Sequence, residues 1–389
     1  MLLGDLNGDS VPDVAVGSQM DDDGQYNAGA VFIIFLTDQG TCLSFQKLSM
    51  LHGSFTASLG SSDSFGQAVS GGVDVDADDV PDLLVGAYLD DDYASDCGAI
   101  YIIFLSDQGI CKSHQKLTFS HGGFTATATT SSVEFGSGVV FLNDLNEDGV
   151  HDIAASAYQD DTAAFDAGAV YVIFLSNQGL CLSHQKLTTA FGSFTGVLSA
   201  EDKFGTCIGT PGHIHPDSLE TLAVGAFRDD EGGYEQGAIY IIFLTNQGIA
   251  GSHQKVNGVQ GDFTGSLPLQ SYFGVAVAGV GDLDNDDSRD LVVGACLMDS
   301  ETGVVYLIFL TAMGTSKSHI RISSAEVEFT ASLAAGDQFG RFAAGIGDVN
   351  DDGILDLVIT SSRDSDVAFD TGAIYIVFLQ GMFMLVSLL

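Results

Sequence analysis

The feature that most constrains this sequence is an internal repeat. One unit recurs six times in 389 residues, with landmarks spaced by 66 to 70 residues at Asp5, Asp74, Asp144, His213, Asp282 and Asp348. The six units correspond approximately to residues 1-64, 65-134, 135-203, 204-272, 273-338 and 339-389. A repeated unit of this kind buries its apolar face against the next copy, so the copies are expected to stack into one body.

The apolar stretches of each unit predict β-strands. They are four to eight residues long, rich in Val, Ile, Phe and Tyr, and bounded by Gly, Asp or Asn. No helical periodicity of useful length appears. Four strands per unit predict an all-β fold, a β-propeller of six four-stranded blades that forms a single domain over residues 1-389. Continuous apolarity, as in Val31 to Leu36, predicts a middle strand covered on both faces.

The charge balance excludes several partners. The chain has 12 Lys and Arg against 52 Asp and Glu, a formal net charge of −40. It would repel phosphates and anionic lipids, so we expect neither nucleic-acid binding nor a membrane-surface role. No apolar run reaches the roughly 18 residues of a membrane-spanning helix, so no membrane insertion is expected. Hydrophobic residues make up 46% of the chain, which argues against disorder.

Recurring short motifs carry a family resemblance over the whole chain. Phe-Gly pairs occur at 65 and 66, 135 and 136, 204 and 205, 273 and 274, and 339 and 340, and Val-Gly-Ala occurs at 85 to 87, 224 to 226 and 293 to 295. Together with the acidic loops described next, these units resemble the FG-GAP repeat of the integrin alpha-subunit propeller. The resemblance implies an adhesion or recognition module. Integrin propellers have seven units, so it also implies a truncated ring.

Five units contain a nine-residue loop with oxygen-bearing side chains at positions 1, 3, 5 and 9. The side chains are Asp5, Asn7, Asp9 and Asp13; Asp74, Asp76, Asp78 and Asp82; Asp144, Asn146, Asp148 and Asp152; Asp282, Asp284, Asp286 and Asp290; and Asp348, Asn350, Asp352 and Asp356. Alternate carboxylates and amides around a tight turn converge on one point, as a hard cation requires. The backbone carbonyls at position 7, from Val11, Val80, Val150, Ser288 and Ile354, would add a further ligand.

The pattern favours calcium, with about five sites. An EF-hand needs Glu at position 12 and flanking helices, whereas position 12 here is apolar and the flanks are strands. Magnesium demands a tighter octahedron. A plain Asp-rich turn is the alternative, but chance does not repeat this spacing five times. Gly149 and Gly353 supply the turn at position 6, and Ser10, Asp79 and Asp287 take that place elsewhere.

The fourth unit departs from the pattern. It carries His213, His215, Asp217, Leu219 and Thr221 at the corresponding places. Two imidazoles and a carboxylate could take zinc or another transition metal. A decayed calcium loop is the favoured interpretation, because Pro211 and Pro216 crowd the turn and a fourth good ligand is missing.

Other recurring residues are expected to be structural. Ser-His pairs at 113, 183, 252 and 318 occupy one repeated strand position, so no hydrolase site is expected there. A basic residue stands two positions after the histidine position of this motif and is expected to protect the edge of an outer strand; these residues are Lys47, Lys116, Lys186, Lys255 and Arg321. Of the six cysteines, Cys42, Cys111 and Cys181 share one repeat position, and free thiols are the simpler interpretation.

A second acidic connection joins the second and third strands of each unit, without a ligand spacing. In the propellers that this chain resembles it lies on the ligand-binding face, opposite the metal loops, together with the connection that precedes Phe-Gly. An acidic ligand-binding surface and a solvated rim both remain open.

Two hypotheses follow for function. The first is a non-enzymatic, calcium-stabilised module that binds a protein or glycan; the alternative is the propeller part of a secreted hydrolase or lyase with its site in the channel or upstream. No catalytic constellation appears in the sequence. Loops of modest calcium affinity predict an extracellular, secreted or cell-surface location. The chain has no signal peptide at Met1, so either the mature chain or a fragment is expected. The lack of a recognisable fourth strand after Leu379 favours an incomplete chain.

Overall fold

The computed structural model describes residues 1–212, 214, 219–326, 329, 331–366, 371–380 and 383–388. These residues form six four-stranded antiparallel sheets, in each of which consecutive strands are neighbours. The first three sheets contain β1 Leu2–Gly4, β2 Asp13–Ser18, β3 Ala30–Leu36 and β4 Cys42–Leu48; β5 Phe65–Val73, β6 Asp82–Ala87, β7 Ala99–Leu105 and β8 Cys111–Leu117; and β9 Phe135–Phe141, β10 Ile153–Ala157, β11 Ala169–Leu175 and β12 Cys181–Leu187.

The other three sheets repeat this order. They contain β13 Phe204–Gly209, β14 Glu220–Ala226, β15 Ala238–Leu244 and β16 Ala250–Val256; β17 Ala276–Gly279, β18 Leu291–Ala295, β19 Val304–Leu310 and β20 Ser316–Ile322; and β21 Phe339–Gly347, β22 Asp356–Ser361, β23 Ala373–Gln380 and β24 Phe383–Leu388. The one helix among the described residues is the short α1, Met298–Glu301. The predicted β-propeller of six four-stranded blades is confirmed.

The chain divides into two compact units. The first comprises Met1–Leu36, Cys42–Gly205 and Leu244–Ala250, and the second comprises Thr37–Thr41, Thr206–Phe243 and Gly251–Leu389. The sixth blade corrects one expectation, because β24 pairs with β23 as a fourth strand although its sequence lacks the Ser-His-Gln-Lys motif. Backbone hydrogen bonds build a strand pair, so an apolar strand of any sequence can complete the sheet.

The third strand of each blade supplies much of the core. In β7, β11 and β15 every residue is buried, as predicted for a strand covered on both faces. In β3, which contains Val31 to Leu36, Phe32 and Ile34 are only half-buried. Each apolar side chain removed from water in this way contributes about 1.5–3 kcal/mol. A fully buried tyrosine, such as Tyr101 or Tyr171, recurs on this strand.

An aromatic cluster explains both the Phe-Gly and the Ser-His motifs. In the third blade, the ring of Phe124 stacks on Phe135 at 4.9 Å, and Tyr171 meets Phe135 edge-on at 5.8 Å. His184 joins the cluster at 4.9 Å from Phe124. His114 and His319 make the same contact with Phe55 and Phe263. Burial lowers the pKa of His184, so the neutral ring is favoured. The repeated histidine is therefore a half-buried structural residue, as expected.

Glycines let neighbouring blades approach at backbone distance. Gly136, of the third Phe-Gly pair, has a φ of 90°, which other residues rarely adopt. A Cβ at Gly86, in the second blade, would lie 1.9 Å from the carbonyl oxygen of Gly136. Gly17 with Gly66, Gly225 with Gly274 and Gly294 with Gly340 repeat this contact. The Val-Gly-Ala and Phe-Gly motifs are thus two sides of one packing contact.

A second glycine contact links the hairpin between the third and fourth strands to another blade. Gly109 lies against Ile33 and Phe35, on the third strand of the blade before it. Within the second compact unit, Gly314 faces Ile241 and Phe243, and Gly40 faces Ile376 and Phe378 in the same manner. Within this unit, Gly40 therefore packs on β23 in the same way as Gly314 packs on β15.

Candidate metal loops

The five predicted loops connect the first and second strands of their blades. They lie between β1 and β2, β5 and β6, β9 and β10, β17 and β18, and β21 and β22. The flanking elements are strands, as expected, and the ninth residue lies at or just before the start of the second strand. Each loop is thus anchored to the sheet at its carboxyl end.

The aspartate at position 1 organises the turn. Asp5 Oδ1 accepts hydrogen bonds from the backbone N–H groups of Gly8 and Asp9 at 2.7 and 2.9 Å, and its Oδ2 accepts one from Ser10 at 2.8 Å. The equivalent aspartates Asp74, Asp144, Asp282 and Asp348 accept corresponding bonds. The loop backbone therefore wraps around the first carboxylate.

The aspartate at position 9 is the most deeply placed group of each loop. Asp152 is fully buried and accepts backbone hydrogen bonds from Leu145 at 3.1 Å and from Leu175, at the end of the third strand, at 3.2 Å. Burial raises its pKa to about 7, and the carboxylates of Asp148 and Asp144 act in the same direction. The other four position-9 residues are buried and bonded in the same way, namely Asp13, Asp82, Asp290 and Asp356.

The turn contains two left-handed positions. At position 6, Gly149 and Gly353 have φ values of 90° and 85°, and Asp79 adopts 66°. The sequence predicted this position. Position 4 is also left-handed, with φ of 63° at Ala77 and 61° at Glu147, which was not foreseen because neither residue type favours that conformation.

In two of the loops, three carboxylates approach one another closely enough to share one metal ion. One oxygen each from Asp74, Asp76 and Asp82 lie within 4.8 Å of one another, and Asp282, Asp284 and Asp290 do the same. The other three loops have Asn at position 3. In the first loop, Asp9 accepts a bond from Val11 N–H at 2.9 Å and Asn7 Nδ2 donates to Asp9 at 3.1 Å. Ligation by the position-7 carbonyls remains a prediction.

The donor set fits a hard divalent cation. Every side-chain donor is a carboxylate or amide oxygen, which is the set that calcium prefers. Asp76 Oδ1 is buried and has no hydrogen-bond partner among the described atoms. An unsatisfied buried oxygen is costly, so a cation at this point would relieve the cost.

Lysines reach two of the loops from the fourth strand. Lys317 Nζ lies 2.8 Å from Asp284 and 2.6 Å from Asp286, and Lys112 pairs with Asp78. These are the two described loops with Asp at position 3. Where position 3 is Asn7 or Asn146, the residue equivalent to Lys112 is Leu43 or Leu182. Four carboxylates with one ammonium carry the same formal charge as three carboxylates with one amide. The ligand side chains and the neighbouring fourth-strand residue therefore have the same total charge in both kinds of loop.

The corresponding loop of the fourth unit lies mostly outside the described part of the chain. His213, His215 and Asp217 lie outside the described residues. Of the other two residues in that pattern, Leu219 is exposed and Thr221 is buried in β14. The zinc and decayed-loop interpretations both remain as the sequence left them.

The second acidic connection is held by the basic residue of the fourth strand. Lys186 Nζ lies 2.7 Å from Asp160, which is fully buried, and 5.4 Å from the ring centroid of Tyr171. Lys47, Lys116, Lys255 and Arg321 make equivalent pairs with the connections of their own blades. These cations lie on the outer strand of each sheet, as expected, and they also anchor the second acidic connection.

The remaining sequence expectations concern thiols and membranes. All six cysteines are free, in agreement with the simpler interpretation of Cys42, Cys111 and Cys181. None of the described helices has the length and apolarity to cross a membrane.

The fold and the five oxygen-rich loops define a β-propeller with candidate cation sites between its inner strands. The sequence profile of the FG-GAP repeat matches residues 1–34. The chain is 31% identical to integrin alpha-3 of Cricetulus griseus over 199 residues, which are 51% of this chain and 17% of that protein. It is 32% identical to integrin alpha-2 of Mus musculus over 159 residues, 40% of this chain and 12% of that protein.

A shorter region is more similar. Over 89 residues, 23% of this chain and 7% of the relative, identity to integrin alpha-7 of Mus musculus is 42%. The matched regions thus span about a sixth or less of the length of these curated relatives. The chain is a β-propeller whose residues 1–34 match the FG-GAP repeat, and over about half of its length it is similar to integrin alpha subunits.

Proposed function

We propose that this chain is a calcium-stabilised, extracellular recognition propeller without enzymatic activity. It binds a protein or glycan ligand through the second acidic connections and the connections that precede Phe-Gly. The similarity to integrin alpha subunits supports an adhesion role and a location outside the cell. The observation that carries the proposal is the recurrence of one oxygen arrangement in five blades.

Calcium would be held by the five loops. The donors are the side chains at positions 1, 3, 5 and 9 and the carbonyl at position 7, and calcium accepts six to eight such oxygens in flexible geometry. The bound ion would neutralise carboxylates that otherwise repel one another. Because each loop joins two strands of one sheet, its occupancy stabilises the blade.

Thermal unfolding with and without calcium tests the metal part of the proposal. Binding to the folded state alone adds about 2.7 kcal/mol per site at a hundredfold excess over Kd, so Tm should rise steeply with calcium. The double variant Asp144→Asn/Asp148→Asn should lower the calcium stoichiometry by one in isothermal titration. An unchanged Tm in excess chelator would contradict the proposal.

A ligand screen tests the recognition part. The purified chain is applied with calcium to protein and glycan arrays, and the same preparation is assayed with hydrolase and lyase substrates. Stable binding without turnover is expected. Turnover without stable binding would favour the alternative, a propeller that forms part of a secreted hydrolase or lyase.

A further inference from the structure

Most basic side chains of this acidic chain are ion-paired with a carboxylate. Among the described residues, all seven lysines lie within ion-pair distance of a carboxylate, and so do Arg228 and Arg321. With 52 Asp and Glu against 12 Lys and Arg, a basic side chain without such a partner is an exception. Within the described part of the chain, the exceptions are Arg289, Arg341 and Arg363.

Two of these exceptions lie at one pocket of the second compact unit. Arg341 and Arg363 line a cavity of about 280 Å³ together with Phe227, Tyr272, Leu297 and Gln338. The lining residues come from the ends of second strands and from the starts of first strands, which is where the second acidic connections begin. We call this cavity the arginine pocket.

Arg341 has no basic counterpart in the other units, so the pair of Arg341 and Arg363 occurs only once. Arg363 stands two residues after its second strand, where the other units carry Met20, Leu89, Gln159, Arg228 and Leu297. Arg228 pairs with Glu235 at 3.4 Å, whereas Arg363 has no carboxylate partner among the described residues. Arg341 follows a Phe-Gly pair, where the second and third units carry Gln67 and Ser137. Scaffold residues recur with the blade because each blade needs them. A pair of cations present in one place only is not explained by the scaffold.

The positive charges of Arg341 and Arg363 both influence the thiol of Cys296, which lines the same cavity. Cys296 is buried at the pocket, which raises the pKa of its thiol, and both Arg341 and Arg363 oppose that rise while Glu301 reinforces it. Glu301 also lines the cavity and accepts a bond of 3.4 Å from Gln338. Two arginines against one glutamate leave the pocket with an excess of one positive charge in a chain of net charge −40.

Arg341 lacks a charged partner although it is half-buried. Its guanidinium lies over the ring of Phe342 at 5.2 Å, and the group cannot lose its proton. A partly desolvated guanidinium binds a carboxylate strongly, because its planar fork can donate two parallel hydrogen bonds. The ligand that would complete this site is therefore an anion.

The surroundings restrict the class of anion. The field of a strongly acidic chain disfavours polyanions such as sulfated glycans, so a single carboxylate fits better. Apart from the charged groups and Gln338, the wall is largely aromatic or aliphatic, from Phe227, Tyr272 and Leu297. A sugar needs several hydrogen-bond partners for its hydroxyls, whereas an acidic side chain has one carboxylate on an apolar stem.

We propose that the arginine pocket binds a single Asp or Glu side chain of a protein partner, with Arg341 and Arg363 pairing with its carboxylate. This inference rests on the proposed recognition function and names the chemistry of its ligand. Phe227, Tyr272 and Leu297 contact the methylene stem. Arg341 and Arg363 select an acidic residue over its amide.

The test uses a blocked pentapeptide with a central Glu between two Leu, and the same peptide with Gln. Binding to the full chain in calcium is measured by titration calorimetry at low ionic strength. The Glu peptide should bind at least tenfold more tightly than the Gln peptide. Arg341→Gln/Arg363→Gln should weaken the Glu peptide at least tenfold, and Arg341→Lys/Arg363→Lys should weaken it less.

Equal binding of the two peptides to the wild-type chain would overturn the inference, and this comparison does not depend on how any variant folds. Tighter binding of sodium glucuronate, lost in the Gln double variant, would assign the pocket to acidic sugars and also overturn it. The proposed function and the arginine pocket are rejected by different results. A partner found on the arrays whose binding ignores both arginine substitutions would leave the recognition function intact and reject the pocket.

Discussion

At the scale of single residues, the candidate loops are organised by hydrogen bonds and charge balance. The aspartate at position 1 shapes the turn, and the aspartate at position 9 ties the loop to the end of the third strand. Lys112 and Lys317 appear where position 3 is an aspartate. An ammonium that sits on these carboxylates competes with a divalent cation and reduces repulsion when none is bound.

We expect Lys112→Leu to change the second loop in two opposite ways. Without calcium, the uncompensated carboxylates should destabilise the fold by about 1 kcal/mol. With calcium, the more negative loop should bind the ion more tightly. The double variant Asp76→Asn/Lys112→Leu copies the third loop, with its Asn146 and Leu182, and should restore wild-type behaviour in both respects. Calorimetry and thermal melts with and without chelator measure both effects.

The control is Lys112→Arg, which keeps the charge and should resemble the wild type. If Lys112→Leu leaves both the metal-free Tm and the calcium affinity unchanged, the lysine does not balance the loop. If Lys112→Leu lowers the metal-free Tm but no calcium binding is detected, the result would support the role of Lys112 as a counterion and contradict only the proposal that the loop binds calcium.

The buried position-9 aspartates predict a pH dependence for the metal-free chain. Burial raises the pKa of Asp152 to about 7, so the folded state holds its proton more firmly than the unfolded state. This contribution to stability is complete near pH 4 and is lost as pH rises through about 7. Half-buried histidines such as His184 act oppositely below about pH 6.5, because partial burial lowers their pKa.

Comparison with Asp152→Asn isolates the carboxyl. In metal-free buffer, the difference in Tm should move in favour of the wild type as pH falls from 8 to 6, because only the wild type gains a proton at residue 152. Thermal melts at three pH values measure it. A difference that is constant with pH would show that Asp152 does not titrate in this range.

At the scale of elements, the second acidic connection and the fourth strand form one structural unit. Asp160 is fully buried and pairs with Lys186, and Thr162 also accepts a bond of 2.5 Å from that ammonium. These connections therefore supply structural carboxylates as well as exposed ones. Only the exposed ones are available to a ligand.

Lys186→Met should destabilise the third blade strongly. It leaves the Asp160 carboxylate buried without its cation, which costs about 3 kcal/mol or more. Denaturant unfolding measures the loss. Asp160→Asn/Lys186→Met removes both charges and should recover most of it. A loss equally large in the double variant would mean that packing of the lysine stem, and not the buried charge, supports the connection.

Elements with a local signature were predictable from the sequence, and contacts between distant residues were not. Strands β7 and β11 follow from their apolar runs, and the loop at 144 to 152 follows from its spacing. The pairing of Lys112 with Asp78 joins residues 34 apart, and nothing local marks it. The sequence showed no unique arginine cluster, because Arg341 and Arg363 meet only when their strands are in place.

At the scale of the whole molecule, the charge of −40 has several structural roles. Some carboxylates form the candidate loops, and others are paired with lysines inside the blades. The rest face solvent. Acidity is thus mostly a property of connections, while the strands carry the apolar core.

Calcium loading should be visible in the net charge. Five ions would bring the formal charge to about −30, because each adds two positive charges. Migration toward the anode in a native gel at pH 7 should slow by about a quarter, if the shape is unchanged. The same gel would show whether the fourth unit also binds an ion, since a sixth ion would slow the migration of the chain further. Identical mobility in calcium and in chelator would exclude loading.

The placement of the lysines also governs exposure to trypsin-like proteases. Lys47, Lys116, Lys186 and Lys255 lie within fourth strands, and their ammonium groups are held by carboxylates. A protease needs an extended, accessible segment and a free basic side chain for its specificity pocket. Cleavage at these four lysines therefore requires the fourth strand to leave its sheet, so the rate of digestion at them measures how often each blade opens at its edge.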